Sequence, residues 1–384
     1  MKFIKLADPN IGAKEAKKVA LVIKSGWIGS GPKVKEFEKD FGNYKKSKNV
    51  AAVSSCTAAL HLGMLACNIK PGSEVITTAM TFSATINSII HAGLKPVLVD
   101  INLQTGNIDE NKIIKSITKK TKAILPVHLA GYPCNMDQIC NIAKKYKLKI
   151  IEDCAHALET EFKGTKAGNF GDIGCFSFYV TKNLTTAEGG MLISKRAKDA
   201  KRVRTLALHG LSQSAWQRFS EKGYNQKKLH YKIVEAGFKY NMTDIQAAIG
   251  LSKVTSIEKN WFIRKKLWEM YYENLSDTNI ILPKYPDQSA KHGYHLFQIR
   301  VNSSRNGVSR DELLRKLFLK KIGTGVHYLS IPEHPYYKKT FNWKTKNFPN
   351  AYKFGRETLS LPLSPKLTKN QVRYIVKAIK SLAR

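Results

Sequence analysis

The sequence predicts an α/β protein: a large, mainly parallel αβα sandwich domain and a smaller α+β C-terminal domain. Three observations carry that prediction. Short Val/Ile-rich runs alternate with amphipathic stretches over the first two-thirds of the chain, as in parallel sheets covered by helices on both faces. A long helical pattern begins near residue 245 and leads away from that unit. Beyond it, strand-like and helix-like pieces mix at shorter spacing. The large domain is placed at residues 1–250, and the connecting helix with the small domain at 251–384.

Taken in order, the strand-like runs are NVAAVSS (49–55), SEVITTAM (73–80), KPVLVDI (95–101), AILPVHL (123–129) and KIIEDC (149–154). Between them TAALHLGMLACN, SATINSIIHAG and MDQICNIAKKYKL read as helices. DIQAAIGLSKVTSIEKNWFIRKKLWEMYYENL reads as one connecting helix. HLFQIRV, SRDELLRKLFLKK and GTGVHYL then supply a strand, a helix and a further extended piece. No internal repeat or low-complexity linker interrupts the pattern.

The 384 residues are 43% hydrophobic, which suits a folded chain and excludes wholesale disorder. The formal charge of +35 asks for an anionic partner. Its lysines are scattered pairs, such as Lys17-Lys18 and Lys144-Lys145, with no block of five and no nucleic-acid signature. The charge therefore suits steering of small anionic substrates better than nucleic-acid binding. Six cysteines without a CxxC pair argue against a disulfide or zinc framework and for a reducing compartment. No stretch has signal-peptide or bilayer-spanning length, so a cytoplasmic protein without membrane insertion or a metal is expected.

In open parallel sheets ligands bind where strands end, so the chemistry should follow the strands. At SSCTAALHL a strand gives way to a helix opening at Cys56 and Thr57. Free backbone N–H groups there favour an anion, although a plain N-cap role for Ser55 or Thr57 is the better reading of this pattern taken alone. Asp153 ends another strand, where it can face a cationic ring nitrogen or cap the next helix. His156 follows three residues on. Phe82, after SEVITTAM, can stack on a planar ring or join the core. Lys182 sits between the apolar FSFYV and a Thr/Gly-rich turn. That is a poor place for a solvated charge and a good one for a reactive amine, whose pKa burial lowers. A phosphate cradle, an acid for a ring nitrogen, an aromatic plate and a semi-buried lysine fit one cofactor, pyridoxal 5′-phosphate.

EDCAHAL, GDIGCFSFYVTKNLTTAEGGMLIS, GFKYNMTDIQAAIGL and WIGSGPKVKEFEKDF together resemble the sugar-nucleotide aminotransferases of the DegT/DnrJ/EryC1/StrS family, from about Asp8 to the C-terminus. The stretch between Leu211 and Tyr240, with RDELL…GTGVHY and LSLPLSP, is similar to the branch aminating UDP-4-keto sugars, that of UDP-4-amino-4-deoxy-L-arabinose. The resemblance implies a fold type I PLP-dependent transferase, a homodimer. It also implies amino transfer from L-glutamate to a keto carbon, C4 of a UDP-linked sugar, in surface polysaccharide or lipopolysaccharide synthesis. A dTDP- or GDP-linked sugar is the alternative within the class.

Carried over by residue, the resemblance implies that Lys182 holds the cofactor covalently and Asp153 meets its ring nitrogen. His156 would sit by the ring hydroxyl and Phe82 on the ring. Cys56, Thr57 and Ser177 would take the phosphate, joined by Asn241 from the other subunit. Trp27, Ile28, His327 and Tyr328 would line the sugar-nucleotide pocket. One departure is Glu159, where relatives carry a small Gly; it bears on the local turn and the sugar pocket. A dinucleotide-binding dehydrogenase is the rival outside the class, on Gly29-Ser30-Gly31 and Asp100. Its third glycine position is Val34, and it has no use for Lys182. A dehydrating relative would carry His in place of that lysine.

Overall fold

The computed structural model describes residues 2–214, 216 and 231–383. Strands β1 (Val50–Val53), β2 (Glu74–Thr78), β3 (Lys95–Val99), β4 (Thr121–Leu125) and β5 (Lys149–Asp153) form where the apolar runs predict them. A small hairpin follows, β6 (Glu161–Phe162) and β7 (Thr165–Lys166), then β8 (Ile173–Ser177) and β9 (Gly190–Ser194). The main sheet has seven strands in the order β1-β9-β8-β5-β4-β2-β3. Its pairings are parallel from β8 to β3, while β9 runs against both its neighbours. The expected mainly parallel αβα architecture is what forms.

Why the strands read as unbroken apolar runs is plain from their burial: β1 and β9 are buried at every position. The helix Cys56–Ala66 packs among β8, β9 and the helix Ala197–Leu206, and nine of its residues are buried. A helix apolar all round belongs inside. Ser55 caps it, its Oγ accepting from Ala58 N at 3.0 Å.

The single connecting helix expected from residue 244 is instead two, Asp244–Val254 and Ile257–Leu275. The break falls at Thr255-Ser256, whose hydroxyls donate to Ser252 O at 3.3 Å and Lys253 O at 3.0 Å. Side-chain hydroxyls that compete for helix carbonyls loosen the turn they sit in. A second core gathers Trp268, Tyr271, Phe297, Leu313, Leu361 and Ile375 with the N-terminal Ile4. It surrounds β11 (Phe297–Arg300) and β12 (Thr358–Leu361), reached after the short β10 (Ala290–Lys291). GTGVHYL forms no strand, only an isolated bridge from Gly325 to Ser360. No helix among the described residues is long and apolar enough to cross a membrane.

Candidate active site

A cavity of about 540 Å³ opens at the C-terminal ends of the parallel strands. Its wall collects the residues that follow β1, β2, β5 and β8, and it is closed from the other core by His295, His327, Tyr328 and Leu361.

Lys182 lies on the loop between β8 and β9. That loop is held shut at its base. Phe178 N donates to Gly189 O at 2.9 Å, and Thr186 N and Thr185 Oγ1 donate to Phe178 O at 3.0 and 3.1 Å. Phe176 and Phe178 anchor its start in the core, which leaves Lys182 on the cavity wall. Part of the side chain faces the cavity, but the ammonium is surrounded by protein. Burial pulls its pKa down to about 8, against the smaller opposing pull of Cys56 and Asp153.

Asp153, the last residue of β5, is buried. Its carboxylate accepts from Thr85 Oγ1 at 2.8 Å and Ala155 N at 3.1 Å. Burial raises its pKa, and those two bonds and the charge of Lys182 oppose the rise. A cation placed beside it would be strongly held. His156 Nδ1 accepts from Ala130 N at 3.2 Å, so the proton of the neutral ring sits on Nε2, facing Tyr328 Oη at 3.2 Å. Burial keeps that ring neutral, its pKa held well below the usual value.

Phe82, which sequence patterning left between core and plate, is 58% exposed and lines the cavity. A large aromatic held open beside a cavity is a surface for a planar ligand. Thr57 also lines it, while Ser55 does the capping, so the Thr57 hydroxyl is spared that task. Cys56 and Ser177 complete the end where the helix dipole favours an anion.

Cys56, Thr57, Phe82, Asp153, His156, Ser177, Lys182, His327 and Tyr328 are thus brought together around one cavity. Asn241, Trp27 and Ile28 are not. Asn241 Nδ2 donates to Ser30 Oγ at 3.1 Å, and Trp27 Nε1 donates to Ser30 O at 3.2 Å. Trp27 and Asn241 thus meet through Ser30, beside Trp216, whose ring lies 4.7 Å from that of Trp27. Half of the Leu211–Tyr240 stretch singled out above, residues 215 and 217–230, lies outside the described residues.

Glu159 is wholly buried, paired with Arg264 from the second core's long helix. Sequence reasoning passed over His295, Tyr179 and Glu188, which also line the cavity. The signal for His295 was a histidine leading into the apolar run of β11, weak by itself. One further buried group, His128, Glu152 and Cys154, has metal-ligand types within 4.8 Å. Glu152 already accepts from Gly168, Phe170 and Gly171 N at 2.8, 2.8 and 2.7 Å, so its oxygens are committed to the backbone.

Known proteins are similar to this chain over nearly its whole length. The spore coat polysaccharide biosynthesis protein SpsC of Bacillus subtilis is 39% identical over 383 residues, covering 100% of this chain and 97% of SpsC. The Streptococcus pneumoniae protein Spr1654, solved as a sugar aminotransferase in PMP and PLP forms, superposes with a TM-score of 0.91 at 32% identity, covering 99% of this chain and 98% of its own. Helicobacter pylori PseC, an aminotransferase involved in the biosynthesis of pseudoaminic acid, matches at 26% identity and TM-score 0.91, over 100% and 99% of the two chains. The model of the DegT/DnrJ/EryC1/StrS aminotransferase family matches residues 9–380, and the chain belongs to that family of pyridoxal-phosphate-dependent enzymes.

Proposed function

We propose that the protein transfers the amino group of L-glutamate to a keto carbon of a nucleotide-linked sugar, C4 of a UDP sugar, for a surface polysaccharide. The observation that carries this reading is Lys182, a lysine of depressed pKa, lining one cavity with the buried Asp153 and the exposed Phe82. The name of SpsC supports the polysaccharide setting, and those of Spr1654 and PseC support a sugar acceptor.

The residues present fit pyridoxal phosphate. When bound, it supplies an electron sink for the carbon that bears the amine. Asp153 would keep the ring nitrogen protonated, Phe82 would cover the ring, and His156 would lie by the ring hydroxyl. Cys56, Thr57 and Ser177 would hold the phosphate at the helix start. Gly190 keeps that start free of a side chain, since a Cβ on it would lie 2.3 Å from the Ser55 carbonyl carbon. Lys182 Nζ would bind the cofactor and then move the proton at the amine-bearing carbon. His327 and Tyr328 would meet the sugar. The division near residue 250 into a cofactor-holding part and a part shaping the sugar end belongs to the same proposal.

A homodimer completes the reading. Trp27, Ile28 and Asn241 lie off the cavity, and Ile28, Ile233 and Val234 nearby in the chain are 52%, 60% and 61% exposed. A two-fold interface would turn that patch toward the partner's phosphate and sugar ends.

The purified protein should be yellow, its visible band shifting with L-glutamate. After borohydride reduction, peptide mapping should place the pyridoxyl group on Lys182; another lysine would end this assignment. A reverse half-reaction screen of UDP-, dTDP- and GDP-linked 4-amino sugars should bleach fastest with a UDP sugar. Reduction of a keto sugar by NADH without amination would point to a dehydrogenase instead.

A further inference from the structure

We propose that His295 accepts a hydrogen bond from a substrate hydroxyl in the cavity, and that Glu159, acting through Asn183, holds it in the tautomer able to do so. The identity of the substrate rests on the sugar aminotransferase reading; the tautomer rests on the network alone.

The network starts from the buried ion pair of Glu159 with Arg264. Glu159 Oε2 accepts from Asn183 Nδ2 at 2.7 Å, and Gly293 O accepts from the same nitrogen at 2.9 Å. A carboxylate and a carbonyl can only accept, so the amide nitrogen of Asn183 must face them. Its oxygen therefore faces His295 Nδ1, at 2.9 Å. That oxygen also only accepts, so Nδ1 carries the hydrogen.

Burial, reinforced by the charge of Lys182, keeps His295 neutral. A neutral imidazole has one N–H, which leaves a bare lone pair on Nε2. His295 lines the cavity. Its Nε2 makes no hydrogen bond to a described residue and is not among the enclosed atoms left without a partner, so it opens onto the cavity. Its neighbour His156, with ring centroids 4.3 Å apart, has the opposite tautomer and carries its proton on Nε2. That proton faces Tyr328 Oη at 3.2 Å, so of the two rings His295 is the one left with an acceptor for a substrate hydroxyl. Asn183 directly follows Lys182, so the same ion pair steadies the loop that carries the reactive amine. Glu159, the departure from the family pattern, is on this reading a positioning residue.

Nitrogen-15 histidine spectra of the full-length holoenzyme test the proposal, with the His295 signal assigned by its loss in His295→Gln. In the wild type Nδ1 should give the protonated, pyrrole-like resonance and Nε2 the pyridine-like one. In Asn183→Leu the two should collapse to a mixture of tautomers. With an amino sugar that the wild type turns over, the same variant should lose on the order of tenfold in kcat/KM, most of it in KM. Glu159→Leu/Arg264→Leu, which leaves neither charge buried alone, should shift the tautomer in the same way and serves if Asn183→Leu does not fold. A wild-type ring protonated on Nε2, or a tautomer unmoved by both variants, would overturn the proposal. A wild type that turns over no amino sugar would instead remove the sugar hydroxyl, and the spectra would still judge the network.

Discussion

Lys182 shows how one residue's setting changes its chemistry. With a pKa near 8 in the cofactor-free protein, roughly a tenth of the amine is neutral at pH 7, against about one part in a few thousand for an ordinary lysine. The neutral amine is the nucleophile, so loading of apoenzyme with pyridoxal phosphate should quicken as pH rises and level off above about pH 8. Stopped-flow absorbance across that range checks it; a rate still climbing tenfold per unit at pH 10 would contradict the lowered pKa. This lysine was legible in the sequence because apolar residues precede it and small ones follow. Asp153 was legible as the acid that ends an apolar strand. His295 was not, since its meaning lies in Asn183 and Glu159, 112 and 24 residues distant from their respective partners.

At the scale of the element, the start of the helix Cys56–Ala66 is the most constrained point. Gly190, the first residue of β9, passes so close that a Cβ would lie 2.3 Å from the Ser55 carbonyl carbon and 2.6 Å from Cys56 N. Backbone atoms cannot yield as a side-chain tip can. Gly190→Ala should therefore destabilise the fold by about 1–3 kcal/mol, as overpacking does, and weaken cofactor retention. Urea unfolding and cofactor release by dialysis measure the two; a wild-type midpoint would show that the strand can shift freely. Strand and helix existence followed from apolar periodicity. The break at Thr255-Ser256 did not, because the apolar pattern runs through it and the hydroxyl-to-carbonyl bonds that mark it are local geometry.

For the whole molecule, the sharpest expectation concerns shared sites. If Asn241 serves the partner's cofactor phosphate, Lys182→Ala mixed with Asn241→Ala should regain one complete site per heterodimer, approaching half the wild-type activity of that species. The Lys182→Ala/Asn241→Ala double variant mixed with wild type should leave heterodimers with none. Activity after subunit exchange, read with size-exclusion mass, separates the two; a fully active monomer would sink the idea. The charge of +35 belongs at this scale too. Spread as pairs over the surface, it would act on the sugar nucleotide proposed above through the long-range field and not through any one contact.

The sequence by itself determined the layered α/β class, the chemistry-bearing strand ends and the lysine, because periodicity and residue type act locally and each strand end carries its own signal. Tertiary structure decided what those signals could not. It chose Ser55 over Thr57 as the cap, opened Phe82 to the cavity, and buried Glu159 against an arginine from the second core. It also set the tautomers of two neighbouring histidines through partners far apart in the chain. A hydrogen-bond direction depends on what stands opposite, and what stands opposite is known only once the chain has folded.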